Sequence, residues 1–348
     1  LSDKHVTLFL TNRSQRHRQS ASQAAPPELE VIMPYDLSRA EILPWLAQAE
    51  FLISERAGTI DADMIQAAPR LRLIQRLGSL VHDIDLAAAR AAGVQVCAVP
   101  AQEAMLVAEH MLMQMLALAK RLLEASDLAT KTYPERIVGM WGESRRTDEN
   151  TFAYNWTQRR GIAGLAGKTA GIWGFGEIGV ELVRRLHGFG LSQVLYHKRD
   201  RLPRQVEAEL GVTFASRDTL LAESDFLCVL LPYSPETDML INADMLARLK
   251  PGAFVVSCGS GSVIDEAALA DAIRHGRLAG AALDTFEWEP IRTDNPLLPL
   301  AREPRYNLLL TPHTAAGTGE EPPDQVRARD YDNLLRQLQG QPLRYRVV

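Results

Sequence analysis

Gly174-Phe175-Gly176-Glu177-Ile178-Gly179 sets three glycines at G-x-G-x-x-G spacing. The apolar run Thr169–Trp173 precedes them and a helix-forming run from Glu177 to about His187 follows. In a strand–turn–helix setting the first glycine permits a tight turn and the second lets a pyrophosphate approach the backbone. The third lets the helix pack closely on the strand. The start of the helix adds unpaired N–H groups and the positive end of its dipole. The candidate cofactor turn is therefore Gly174, Gly176, Glu177, Ile178 and Gly179; the bland alternative, a ligand-free glycine turn, is weakened by the flanking strand and helix.

Dinucleotide folds place an acid at the end of the second strand to bind the ribose hydroxyls. Here the run is Val194-Leu195-Tyr196-His197-Lys198-Arg199-Asp200, with His197 at that position and two cations after it. A 2′-phosphate calls for positive charge, so His197, Lys198 and Arg199 favour NADP over NAD. NAD stays open through Asp200, and so does a solvated basic turn without any cofactor role.

His313, in Leu310-Thr311-Pro312-His313, follows a strand candidate, where open α/β sheets build their sites. An acid/base beside a nicotinamide is what carbonyl reduction requires, because the developing alkoxide must receive a proton. Glu289, after another strand end, could pair with His313 and fix its ring. Asp284 closes the run Ala279–Leu283 and could either cap a turn or face a ligand. His17, His187 and His275 lack such context and are expected on the surface.

These residues need a scaffold, and the chain supplies one by alternating short apolar runs with helical patterns, which predicts an α/β fold with parallel sheets. Strands are expected at 6–10, 29–33, 51–54, 73–76 and 94–99, then at 194–196, 226–231, 254–258, 279–283 and 308–311. Helices are expected at 38–47, 61–68 and 85–92, with a long one over 102–125 and a last one over 323–338. Arg76-Leu77-Gly78-Ser79-Leu80 reads as a strand end followed by a glycine turn suited to a substrate loop. The polar, aromatic excursion at 131–160, with Tyr133, Trp141, Tyr154 and Trp156, is expected to be functional or an interface.

The 348 residues suggest two domains, and 38 basic against 43 acidic residues leave a net charge of only −5. So mild a charge gives no reason to expect a nucleic-acid or anionic-membrane partner. Cys97, Cys228 and Cys258 form no C-x-x-C pair, so no metal is expected and a reducing, cytoplasmic setting fits. No signal peptide is read in the first residues. The apolar stretch Met105–Leu118, broken by Glu109, His110 and Gln114, reads as a buried or amphipathic helix, not a membrane span.

Taken together the motifs resemble the D-isomer-specific 2-hydroxyacid dehydrogenase family. The resemblance runs through Val107-Ala108-Glu109-His110, Leu165-Ala166-Gly167-Lys168-Thr169 and the glycine hexad. It continues in Leu230-Leu231-Pro232 with Thr237, Leu249-Lys250-Pro251-Gly252-Ala253, Asp265-Glu266, Ala282-Leu283-Asp284, Glu289-Pro290 and Thr311-Pro312-His313. It implies two doubly wound Rossmann-like domains: a flavodoxin-like substrate domain from 1–103 and 316–348, and a dinucleotide domain at 104–315 between its halves. It also implies a homodimer and a small-molecule substrate. His313 would be the general acid, Glu289 its partner and Asp284 a nicotinamide-side contact. Leu231, Pro232, Thr237, Cys258 and Gly259 would line the cofactor, and Gly78-Ser79-Leu80 would offer backbone N–H groups to a substrate carboxylate.

One position departs from the family. In Ser257-Cys258-Gly259-Ser260-Gly261-Ser262-Val263-Ile264-Asp265-Glu266, Ser260 stands where the family has an arginine that clamps the substrate carboxylate. Serine cannot do that bidentate job, and losing it should cost several kcal/mol of transition-state binding. Three explanations follow. The substrate lacks that carboxylate, or another cation such as Arg76 or Arg292 takes over. The protein binds a dinucleotide without turnover. Or the serine was placed there to trap a complex.

Overall fold

The structure, a computed structural model, describes residues 4–35, 38–55, 58–130, 146–150, 152, 154–317 and 323–348. It forms two compact units: Leu1–Met105 with Thr318–Val348, and Leu106–Gly317. The expected pair of doubly wound parallel sheets is what the chain forms.

In the first unit β1 (His5–Thr11), β2 (Leu29–Ile32), β3 (Phe51–Glu55), β4 (Leu73–Leu77) and β5 (Gln95–Val99) lie in the order β2-β1-β3-β4-β5. All neighbours are parallel. Side chains alternate between the faces of a strand, and both faces are apolar here, as a sheet covered on two sides requires. Leu8, Leu10, Leu52, Ile74 and Val96 pack with Leu46, Met64 and Ala89 on one face. Phe9, Phe51, Ile53, Leu73 and Cys97 pack with Ala21, Tyr331 and Leu334 on the other. The last segment of the chain thus completes the second face, and the Tyr331 hydroxyl donates to the Ala21 carbonyl at 2.6 Å.

The second unit holds β6 (Thr169–Trp173), β7 (Gln193–His197), β8 (Thr213–Phe214), β9 (Phe226–Val229), β10 (Ala253–Ser257), β11 (Leu278–Leu283) and β12 (Leu308–Leu310). Their order is β12-β11-β10-β9-β6-β7-β8, and every pairing is parallel. The chain winds outward from β6 to β8 and returns to β9 on the other side of β6. That reversal opens a crevice beyond the carboxyl ends of β6 and β9, where such sheets take ligands.

Two helices differ from expectation. The run over 102–125 is two helices, Gln102–Ala119 and Leu122–Thr130. The break falls at Arg121, which adopts φ +50° and pairs through Nε with Glu124 Oε2 at 2.5 Å. No glycine or proline marks that position, so helical periodicity reads straight through it. The last helix is likewise split, into Pro323–Ala328 and Asp332–Leu338 around the 3₁₀ turn Arg329–Tyr331. Tyr133 and Trp141 of the excursion lie outside the described residues, whereas Tyr154 and Trp156 are exposed.

Candidate active site

The three glycines of the hexad do different work. Gly174 turns the chain at φ +92°, and a Cβ there would lie 2.6 Å from the Leu230 carbonyl group. Gly179 packs against the Phe175 ring, where a Cβ would come within 3.1 Å. Gly176 has nothing within 4 Å of its Cβ position and stands immediately before the helix Glu177–Leu186. The first and third glycines therefore serve the protein's own packing, while the second faces open space at a helix N-terminus. A dinucleotide pyrophosphate fits that arrangement. Glu177 and Ile178, half-buried, form the first turn of that helix.

At the end of β7 the His197 Nδ1 lies 2.8 Å from the Ala215 carbonyl, with Trp173 and Phe214 against its ring. One ring nitrogen is thus committed to the fold. Lys198 is half-buried and Arg199 exposed, and neither makes an ion pair among the described residues. The carboxyl of Glu236 is held below its ordinary range by a Ser234 hydrogen bond first, and also by the charge of Arg199. Arg201 is unavailable, since Glu207 takes it through Nε at 2.8 Å and Nη2 at 2.6 Å.

Loops after β9, β10 and β11 are pressed together. A Cβ on Gly259 would lie 2.7 Å from the Leu231 carbonyl oxygen, and one on Gly261 would overlap the Phe286 carbonyl at 2.0 Å. Ser260 donates its N–H to the Leu231 carbonyl at 2.9 Å, and its hydroxyl lies 3.4 Å from that of Ser262. Pro232 is exposed beside half-buried Leu231. Burial pushes the Cys258 thiol up, and it donates to Gln114 Oε1 at 3.5 Å. Thr237 spends its hydroxyl on its own turn, donating to the Pro232 carbonyl at 2.8 Å and accepting from Ser234 N–H at 2.7 Å. That geometry gives it a role in shaping the loop.

His313 follows β12 with φ +55°. Its Nδ1 meets Glu289 Oε2 at 2.7 Å, and Glu289 Oε1 accepts the Phe286 N–H at 3.1 Å. The imidazole is 59% exposed, so its Nε2 is open to a ligand. Behind Glu289, buried Glu266 accepts the Glu287 N–H at 3.0 Å and the Asn295 amide at 2.5 Å, which pins the loop. Burial raises the carboxyl of Glu266.

Asp284 is buried in a hydrogen-bond network of its own. Its side chain is 1% exposed and accepts from Thr311 Oγ1 at 2.6 Å, Thr314 N–H at 3.0 Å and Ala315 N–H at 2.8 Å. Its carbonyl takes the His313 N–H at 2.8 Å. These are the bonds of the capping alternative: Asp284 shapes the loop that carries His313. His110, quoted only as part of a motif, joins this network at 3.1 Å from Thr311 Oγ1. Nothing in sequence spacing singles it out. His17, His187 and His275 lie on the surface.

In the first unit Gly78 has φ +148° and donates its N–H to the Val99 carbonyl at 2.7 Å. That N–H is therefore taken and cannot serve a carboxylate. Neither replacement for the missing arginine is loose. Arg76, buried, holds Asp83 at 2.6 Å, and Arg292 takes Asp294 with Nε at 3.0 Å and Nη2 at 2.8 Å.

A doubly wound sheet with an open glycine turn and a histidine–carboxylate pair on one edge defines a dinucleotide-binding α/β protein. Residues 137–315 match the family described as D-isomer specific 2-hydroxyacid dehydrogenase, NAD binding domain, and the chain belongs to that family. It is 34% identical over 302 residues to D-3-phosphoglycerate dehydrogenase of Mycobacterium leprae (strain TN), covering 87% of this chain and 52% of that one. The chain thus spans about half the length of that relative. It is 33% identical over 336 residues to glyoxylate/hydroxypyruvate reductase B of Yersinia pestis (strain Pestoides F), covering 96% and 94%. Among solved structures it resembles D-lactate dehydrogenase from Aquifex aeolicus complexed with NAD and lactic acid. That match has 25% identity, a TM-score of 0.51, and coverage of 97% of this chain and 96% of that one.

Proposed function

We propose that this chain is a nicotinamide-dependent oxidoreductase that prefers NADP(H), with NAD as the second choice, and acts on a small 2-oxo or 2-hydroxy acid or a related carbonyl compound. The observation that carries this reading is the His313–Glu289 pair, 2.7 Å apart, on the same sheet edge as the open turn at Gly176. When bound, the nicotinamide supplies or takes the hydride at the substrate's carbonyl carbon. His313 gives the proton that the developing alkoxide requires and removes it in the reverse direction. Glu289 holds the ring by Nδ1, so Nε2 is the atom that moves the proton.

Gly176 and the helix start behind it hold the pyrophosphate, and Lys198 and Arg199 meet a 2′-phosphate. The loop at Ser79-Leu80 of the first unit belongs to the same reading as the candidate substrate loop. A homodimer working in the cytoplasm belongs to the same reading. Exposed Leu122, Phe152, Tyr154 and Trp156 support the dimer, and three free cysteines support the compartment. Its mild charge supports a small molecule, not nucleic acid or membrane, as the partner. No helix among the described residues is long and apolar enough to cross a membrane.

A second reading, a dinucleotide sensor without turnover, draws support from Ser260 and from the engagement of Arg76 and Arg292 by their own carboxylates. Incubation with NADPH and a panel of glyoxylate, hydroxypyruvate and phenylpyruvate separates the two. Oxidation of NADPH that vanishes in His313→Ala is the expected result. Tight NADPH binding without oxidation across the panel would overturn the enzyme in favour of the sensor.

A further inference from the structure

At the amino ends of β4 and β5 the first unit carries a cavity of about 410 Å³. Its walls include Arg72, Arg90 and Arg346, with the amides of Gln95 and Gln337, and no acidic residue lines it. In a chain of net charge −5, three guanidinium groups around one small cavity are a local reversal of sign. Arg90 has no ion pair among the described residues. Arg72 is only loosely opposed, by a Glu50 carboxylate at 3.6 Å that also serves Arg70 at 3.1 Å. Arg346 donates Nε to the Val348 carbonyl at 2.9 Å, a bond that leaves its two terminal nitrogens available. Leu71, Val94 and Val348 add apolar side chains, and Gly93 completes the lining.

We propose that this cavity binds a small oxyanion, a phosphate or carboxylate group on a partly apolar body. Planar guanidinium groups match the oxygens of either group in pairs, and the apolar wall receives the body that carries them. The cavity is separate from the Gly78 loop, since it opens at the start of β4 and that loop follows its end. Five residues at about 3.3 Å each put some 17 Å between them. The inference is independent of the dehydrogenase reading, because the cavity shares no residue with it.

Calorimetric titration of the full chain with inorganic phosphate, phenyl phosphate and benzoate tests the site. Saturable binding of at least one of them is expected, with phenyl phosphate tighter than inorganic phosphate. Arg90→Ala and Arg346→Ala, both at exposed positions, should each weaken it about tenfold. Because phosphate could also settle on the cofactor turn or on the cations after β7, the triple variant Gly176→Ala/Lys198→Ala/Arg199→Ala serves as the control and should leave this binding unchanged. Tighter binding of phenyl phosphate than of benzoate would identify a phosphate group as the ligand's head, and the reverse order a carboxylate. No saturable binding by any probe, or binding lost in the control but kept in the Arg90 and Arg346 variants, would overturn the site.

Discussion

His313 and Glu289, 24 residues apart in sequence, meet Nδ1 to Oε2 at 2.7 Å. The carboxylate is held in turn by the Phe286 N–H, and the histidine backbone by the Asp284 carbonyl. A histidine held in this way at its backbone and at Nδ1 offers a single ring nitrogen, Nε2, to a reacting group.

Replacing His313 with alanine should lower kcat about 10²- to 10⁴-fold while NADPH affinity stays near that of the parent. Stopped-flow turnover and fluorescence titration of the same preparation read the two quantities. If cofactor affinity falls as steeply as kcat, His313 is not the acid.

Gly174 and Gly176 should respond to alanine in opposite ways. At Gly174 the positive φ and the Leu230 carbonyl leave no room for a side chain, so thermal unfolding should show a loss of about 1–3 kcal/mol or more. At Gly176 the fold should hold its melting temperature while NADPH binding weakens on the order of tenfold. Equal stability losses at both positions would remove the argument that Gly176 faces a ligand.

The cations after β7 make the cofactor preference measurable. Lys198→Ala/Arg199→Ala should raise the NADPH Kd at least about tenfold and leave that of NADH nearly unchanged. Equal dissociation constants for the two cofactors in the unaltered protein would sink the preference.

Ser260→Arg supplies the missing guanidinium. If the family's clamp is what this site lacks, reduction of glyoxylate or hydroxypyruvate should rise by about 10²-fold. Unchanged kcat/KM in a variant that folds and binds NADPH would show that the site recognises something other than a 2-oxo acid.

Asp330 gives a pH signature of the first unit. Burial, outweighing Arg327 at 2.8 Å, pushes its carboxyl up to about 7 from 3.8. Between those values the folded state holds a proton that the unfolded chain has lost, so this group makes stability fall as pH rises and has no further effect above about 7. Glu55, shifted downward despite burial by its hydrogen bond to Arg327, acts in the opposite sense at lower pH, in parent and variant alike. Melting temperatures from pH 4 to 8 should therefore move in favour of Asp330→Asn relative to the parent as pH rises. A constant difference would refute the assignment.

Much of this was legible in the residues. Strand positions, both sheets and the glycine turn follow from apolar runs and from glycines whose spacing has a local geometric cause. Partners chosen across the fold were not. The capping bonds of Asp284 come from Thr311, Thr314 and Ala315, some 30 positions later, which no local pattern announces. The Gly78 N–H looks free until Val99 of the neighbouring strand takes it. The break at Arg121 has no glycine to announce it, and His110 gains significance only from the Thr311 hydroxyl it meets. Long-range pairing leaves no periodicity behind, so motifs locate a site while its supports stay hidden.

Tyr331 and Leu334 close the second face of a sheet whose last strand ends at Val99. On a ribosome, Phe9, Phe51 and Leu73 emerge early and then wait while more than two hundred further residues are added, tens of seconds at ordinary rates of elongation. The second unit's sheet, built from Thr169 to Leu310 alone, can form during that interval. The first unit is therefore started first and finished last, and one apolar face of its sheet stays half-covered until Tyr331 and Leu334 are made.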